Sequence, residues 1–143
     1  MTHDLTAFRY TLPIAVRFAD MDPLNHVNNA KYFTYMETAR IAYMRDVVEL
    51  ADEMKDLPLL LARATCDFKL PLTLEDTALV HVRVSRLGNT SIDMDYAITR
   101  QADGAVSALG QSVMVVFDHN AGAPAPIPQH WRDALLAYEP ALS

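Results

Sequence analysis

Between Thr11 and Phe18 the chain alternates, with Leu12, Ile14, Val16 and Phe18 on one face and Thr11 and Arg17 on the other. A period of two predicts a half-buried strand, and Pro13 marks it as an edge or a strand start. After Asn29 the spacing lengthens. Tyr32, Tyr35, Met36, Ala39, Tyr43 and Val47 recur at helical intervals, and "NAKYFTYMETARIAYMRDVVEL" holds no Pro or Gly. One helix of about five turns is predicted, with Asn28 or Asn29 as its N-cap.

From Leu61 the period returns to two. Ala62, Ala64, Cys66, Phe68 and Leu70 share one face, Arg63, Thr65, Asp67 and Lys69 the other, and Pro71 closes the strand. Val80, Val82 and Val84 alternate with His81, Arg83 and Ser85 before the turn "LGNTS". Ile92, Met94, Tyr96 and Ile98 alternate with Asp93 and Asp95 before the turn "QADG". A last strand is expected from about Ala105 to Phe117, followed by the proline-rich "GAPAPIP" and a short helix, "QHWRDALLAYE". The order is strand, long helix, then four strands joined mostly as a meander. A lone helix of this length beside such strands buries itself only if the sheet wraps it, which makes an α+β fold with one central helix. At 143 residues, with no internal repeat, the chain reads as a single domain, 1–143.

Composition narrows the classes. Hydrophobic residues make up 51% and charged residues 21%, a globular balance. The net charge is −6 and the 12 Lys and Arg are scattered, so nucleic acid is not an expected partner. The apolar runs "LPLLLA" and "SVMVVF" are far too short to span a bilayer, so no membrane role is expected. The N-terminus, "MTHDLTAFRY", has an acid at position 4 and no apolar stretch of the kind a signal peptide needs. One cysteine, Cys66, fits a reducing compartment, and a cytoplasmic location follows by default.

Most candidate chemistry has a plain structural explanation. Cys66 lies on an apolar strand face with no nearby histidine, as inert packing thiols do. His81 and His119 stand alone, and neither an H-x-x-x-H helix nor a cysteine pair exists, so no metal is expected. The helix tyrosines read as core. Glu37 is open to two readings: an i, i+3 pair with Arg40, or a carboxylate belonging to a site.

The junction "FADMDPLNHVNNAKY" is different, because Asp20, Asp22, Asn25, His26, Asn28 and Asn29 fall within ten residues. Strand termination and capping account for part of that polarity. A helix N-terminus also presents unpaired N–H groups and a positive dipole, which can polarise a carbonyl oxygen. An aspartate just upstream could attack the carbonyl carbon or activate water against it.

"VRFADMDPLNHVNNAKYFTYMETAR" resembles the opening motif of hotdog-fold acyl-CoA thioesterases of the 4-hydroxybenzoyl-CoA thioesterase class. It is similar to the branch carrying D-x-x-x-H-V-N-N and then Y-x-x-x-x-E-x-A-R, here Asp22, His26, Val27, Asn28 and Asn29, then Tyr32, Glu37, Ala39 and Arg40. "DFKLPLTLEDTALVHVRVSRLGNTSIDMDYAI" also resembles that family's central strands. The resemblance implies a hotdog fold, an antiparallel five- to six-stranded sheet wrapped around the helix. It implies hydrolysis of acyl-CoA to free acid and CoA, with Asp22 as base or nucleophile and the Asn29 backbone N–H polarising the carbonyl. His26 and Asn28 would shape the loop, and Glu37 is the second-choice carboxylate. CoA contacts would fall at Arg86, Asn89, Thr90 and Ser91. No cofactor is implied beyond the substrate's own CoA, and a homodimer or homotetramer is expected. Alternatives are a thioesterase for acyl carrier protein, which the charge disfavours, and a non-catalytic acyl-CoA-binding module.

Overall fold

The computed structural model describes residues 4–50 and 58–142. Strand β1 (Tyr10–Ala15) leads through a 3-10 turn (Phe18–Asp20) to helix α1 (Asn29–Tyr43), which continues as a π-helical turn over Met44–Val48. Glu49 ends it in the left-handed region at φ 63°. Strands β2 (Leu59–Phe68), β3 (Thr77–Leu87), β4 (Ser91–Arg100) and β5 (Val106–Asp118) follow, then the two-residue β6 (Ala123–Pro124) and helix α2 (Gln129–Tyr138). No helix among the described residues is long and apolar enough to cross a membrane.

The sheet is antiparallel, in the order β1-β3-β4-β5-β2, with β6 on β5. The expected meander is therefore β3-β4-β5 alone. β2 lies on the far edge, a whole sheet away from β1, so the long helix is carried across one face between the first two strands. Curling that face around α1 is the hotdog fold.

The apolar periods meet on the inner face. Val80, Val82 and Val84 of β3 and Ile92, Met94, Tyr96 and Ile98 of β4 are buried, and Tyr32, Tyr35, Met36, Ala39 and Tyr43 of α1 pack onto them. Each large side chain so buried contributes about 2–3 kcal/mol. Gly110 of β5 stands where a Cβ would collide with the Met36 sulfur, so the bare backbone lets helix and sheet close.

Two expectations from periodicity need correction. Phe18 does not extend the inner face of β1; it sits in the 3-10 turn and is 83% exposed. On β2, the register shifts between Leu61 and Arg63, and Ala62 is the extra residue. The bulge breaks the even alternation. Ala64 and Cys66 turn partly inward, whereas Leu60, Leu61 and Phe68 are exposed along the edge.

Candidate active site

The junction is built as a small closed loop pinned at both ends. Met21 and Val27 form an antiparallel bridge, the Asp22 N–H donates to His26 O at 2.8 Å, and Asn25 N–H donates to Asp22 O at 3.1 Å. Closing so tight a loop puts Asn25 at φ 63°, a conformation asparagine tolerates. Val27 N–H donates to Leu72 O and Asn28 N–H to Asp20 O, each at 2.8 Å.

The Asp20 side chain holds that loop to the helix. It is buried and accepts from Tyr35 Oη at 2.8 Å, from Arg17 N at 3.0 Å and from Arg17 Nη2 at 3.0 Å. Burial alone would raise its pKa, but these donors outweigh it and hold the carboxyl below its usual range. Burial, with the Asp20 carboxylate adding to it, pushes the Tyr35 phenol up. Asp20 is thus an internal brace.

Asp22 is placed differently. Its Oδ1 accepts from Leu24 N at 2.9 Å and His26 N at 3.3 Å, while Oδ2 takes no donor among the described residues. One oxygen shapes the loop. Asn28 is the N-cap, its Oδ1 accepting from Ala30 N at 2.9 Å. Asn29 is the first helical residue, and its N–H has no acceptor among the described residues.

Asp22, His26, Asn28 and Asn29 line one cleft of about 430 Å³, closed on its other side by Tyr32, Phe68 and Lys69. Tyr32 Oη lies 3.1 Å from Ser107 Oγ, and its ring meets Phe68 edge-on at 5.2 Å between centroids. Sequence spacing missed Lys69 as a site residue. It lies 47 positions beyond Asp22, and only the fold of β2 against the start of α1 brings the two together.

The remaining candidates lie elsewhere. Glu37 is 60% exposed and lies 3.8 Å from Arg40, the i, i+3 pairing that was one of its two readings. It is eight residues, roughly 12 Å, along the axis from Asn29 and faces a second cleft. Arg86, Asn89, Thr90 and Ser91 sit at the β3–β4 turn. Thr77, at the start of β3, pairs with Ala15 beside the junction, whereas Leu87 ends the strand about 33 Å away. Within one chain the turn and the junction are not brought together. The turn is held by its backbone: Asn89 O accepts from Ile127 N and Thr90 O from Val116 N. Arg86 is mostly exposed, 3.9 Å from Asp93.

His81 is half-buried between Thr11 and Thr99, with ring nitrogens 2.9 and 3.0 Å from their hydroxyls, and desolvation lowers its pKa. Burial, with Asp67 adding, pushes the Cys66 thiol up to about 11, so little thiolate forms near neutrality.

The family profile of the thioesterase-like superfamily matches residues 16–135. This chain belongs to the thioesterase-like superfamily. Thioester hydrolysis is the general chemistry of this superfamily, and the hotdog architecture agrees with it. A thioesterase from Thermus thermophilus, crystallised with coenzyme A and Zn, is 35% identical, with 95% of this chain and 98% of that one covered and a TM-score of 0.85. The PA5185 protein of Pseudomonas aeruginosa PAO1 is 29% identical over 92% of each chain, with a TM-score of 0.82. YsmA of Bacillus subtilis is 25% identical over 131 residues, covering 92% of this superfamily member and 88% of YsmA.

Proposed function

We propose that this chain hydrolyses acyl-CoA thioesters to a free carboxylic acid and CoA, using Asp22 and the Asn29 N–H. The observation that carries this is that a carboxylate with a free oxygen and a helix-start N–H without an acceptor, both among the described residues, line one cleft. The substrate carbonyl oxygen sits at the Asn29 N–H, where the helix dipole favours the negative charge that develops on it. Asp22 Oδ2 either attacks the carbonyl carbon, expelling the CoA thiolate and leaving an acyl-aspartyl anhydride that water then hydrolyses to the free acid, or takes a proton from an attacking water. In the water route a C–O bond forms, the C–S bond breaks, and the proton held by Asp22 passes to the departing sulfur. His26 and Asn28 set the loop, and Glu37 is the alternative carboxylate.

The reading includes a homodimer or homotetramer formed through the β2 edge. That edge is unpaired within the described residues and carries exposed Leu60, Leu61 and Phe68 beside Phe33 and Ile41 of α1. A sheet edge of this kind favours pairing with another chain. A second copy would also bring its Arg86–Ser91 turn toward a CoA held at the junction, which one chain alone does not do. Coenzyme A in the Thermus relative supports the ligand class, and the lone Cys66 supports a reducing, cytoplasmic setting.

Release of free thiol across a panel of acyl-CoAs, alongside the same acyl groups on a carrier protein, tests the reading. Turnover of carrier substrates alone would replace CoA as the substrate class. Tight acyl-CoA binding without thiol release would make the chain a binding module.

A further inference from the structure

Strict alternation along β5 would point Ser107 outward, on the side of Leu109 and Gln111 and away from α1. The strand does not alternate there. On β4, Ile98 pairs with Ala108 and Thr99 with Val106, so Ser107 is the extra residue of a bulge, and Ser107 and Ala108 are both buried. A bulge beside a site re-aims a side chain. This one turns Ser107, only 1% exposed, inward against Tyr32 of α1.

The Ser107 hydroxyl has one proton, and Leu70 O accepts it at 2.6 Å. Ser107 Oγ is then the acceptor for Tyr32 Oη, 3.1 Å away. Burial pushes the Tyr32 phenol up, so it keeps its proton and can donate. The Ser107 carbonyl grips the same segment, accepting from Lys69 N at 2.7 Å and Leu70 N at 3.1 Å. At the segment's other end, Val27 N–H donates to Leu72 O at 2.8 Å. Residues 69–72 are thereby strung between Ser107 and the loop that carries Asp22. Lys69, Leu70 and Pro71 line the Asp22 cleft, and so does Tyr32, one helical turn beyond Asn29 on the same face. Ser107 itself does not line it.

We propose that Ser107 is a positioning residue for thioester hydrolysis at this cleft, acting through Tyr32 and the Leu70 carbonyl to fix the wall that faces Asp22 and the Asn29 N–H. The role rests on the hydrolysis proposed above. The wall sets where the thioester carbonyl lies between carboxylate and N–H, and a misplacement of about 1 Å there costs up to about a hundredfold in rate. A hydroxyl that only filled space, or only held β5 to β2, would change stability and leave the rate of each folded molecule unchanged.

Steady-state thiol release from the acyl-CoA that wild type hydrolyses fastest tests this, run well below the thermal midpoint of every variant. Ser107→Ala is expected to lower kcat about tenfold or more, with KM held within about threefold. Ser107→Cys restores the volume but donates and accepts only weakly, so it should be about as slow. Tyr32→Phe keeps the ring against Phe68 and loses the hydroxyl. Combined with Ser107→Ala, it should be little slower than the slower single variant, because the two hydroxyls act as a unit. Wild-type kcat in Ser107→Ala overturns the inference, as does a loss confined to KM or fully additive losses in the double variant. If Ser107→Ala does not fold, Ser107→Cys and Tyr32→Phe carry the test, and full kcat in either overturns it. A wild type that releases no thiol from any acyl-CoA would overturn the hydrolysis and this role with it, whereas turnover by wild type and Ser107→Ala alike would remove this role alone.

Discussion

The Tyr35 hydroxyl donates a 2.8 Å hydrogen bond to the buried carboxylate of Asp20, tying the loop that carries Asp22 to the helix that carries Asn29. Asp20 also accepts from Arg17, and its backbone oxygen receives the Asn28 N–H. Two groups proposed to act on one carbonyl are thus held by a third that touches neither substrate nor solvent.

Tyr35→Phe should cost about 1.5–3 kcal/mol of stability, the worth of a hydrogen bond to a charged group. Activity should fall with it, because the loop loses its brace. Since folding lowers the Asp20 pKa from 3.8, its contribution is present above that value and lost as pH falls through the folded-state pKa. Acid unfolding curves of wild type and Asp20→Asn should differ in slope there. Identical acid limbs would mean that Asp20 braces nothing.

Asp22→Asn should lower kcat by about a hundredfold or more while leaving the thermal midpoint nearly unchanged. The Asn side-chain oxygen can keep the acceptor role that Oδ1 plays toward Leu24 and His26. Near-wild-type turnover in Asp22→Asn, together with loss in Glu37→Gln, would move the chemistry to the helix glutamate.

Asn29→Pro separates catalysis from folding. Proline is tolerated at the first helical position, and Asn28, at φ −58° and ψ 134°, already has the extended conformation that a residue before proline requires. The substitution deletes the N–H proposed to hold the oxyanion, which should cost about a hundredfold or more in rate. Asn29→Ala keeps that N–H and should lower activity only modestly. Thermal midpoints and turnover numbers for both variants check this; full activity in the proline variant would return the junction to plain capping.

Sedimentation should find at least a dimer at micromolar concentration. Leu60→Glu puts a charge on the exposed β2 edge and should shift the protein toward monomer, with activity falling in parallel. A fully active monomer would remove both the edge contact and the shared site.

The sequence by itself determined what depends on near neighbours. Period-two runs became β3, β4 and β5, the glycine-free aromatic stretch became α1, and Asn28 became its cap. The polar junction was visible because six polar residues fall within ten positions. Tertiary structure decided the rest. Periodicity says which residues share a face but not which strand lies alongside, so β2 on the far edge could not be read from alternation. A bulge at Ala62 breaks the alternation of β2, whose Leu60 and Leu61 are exposed, and a 3-10 turn took Phe18 out of the core. Lys69 reaches the Asp22 cleft, and Arg40 becomes nearly solvent-free, only because segments distant in sequence close over them. Burial is a property of the whole packing, and a charge shows its cost only once the surrounding walls are in place.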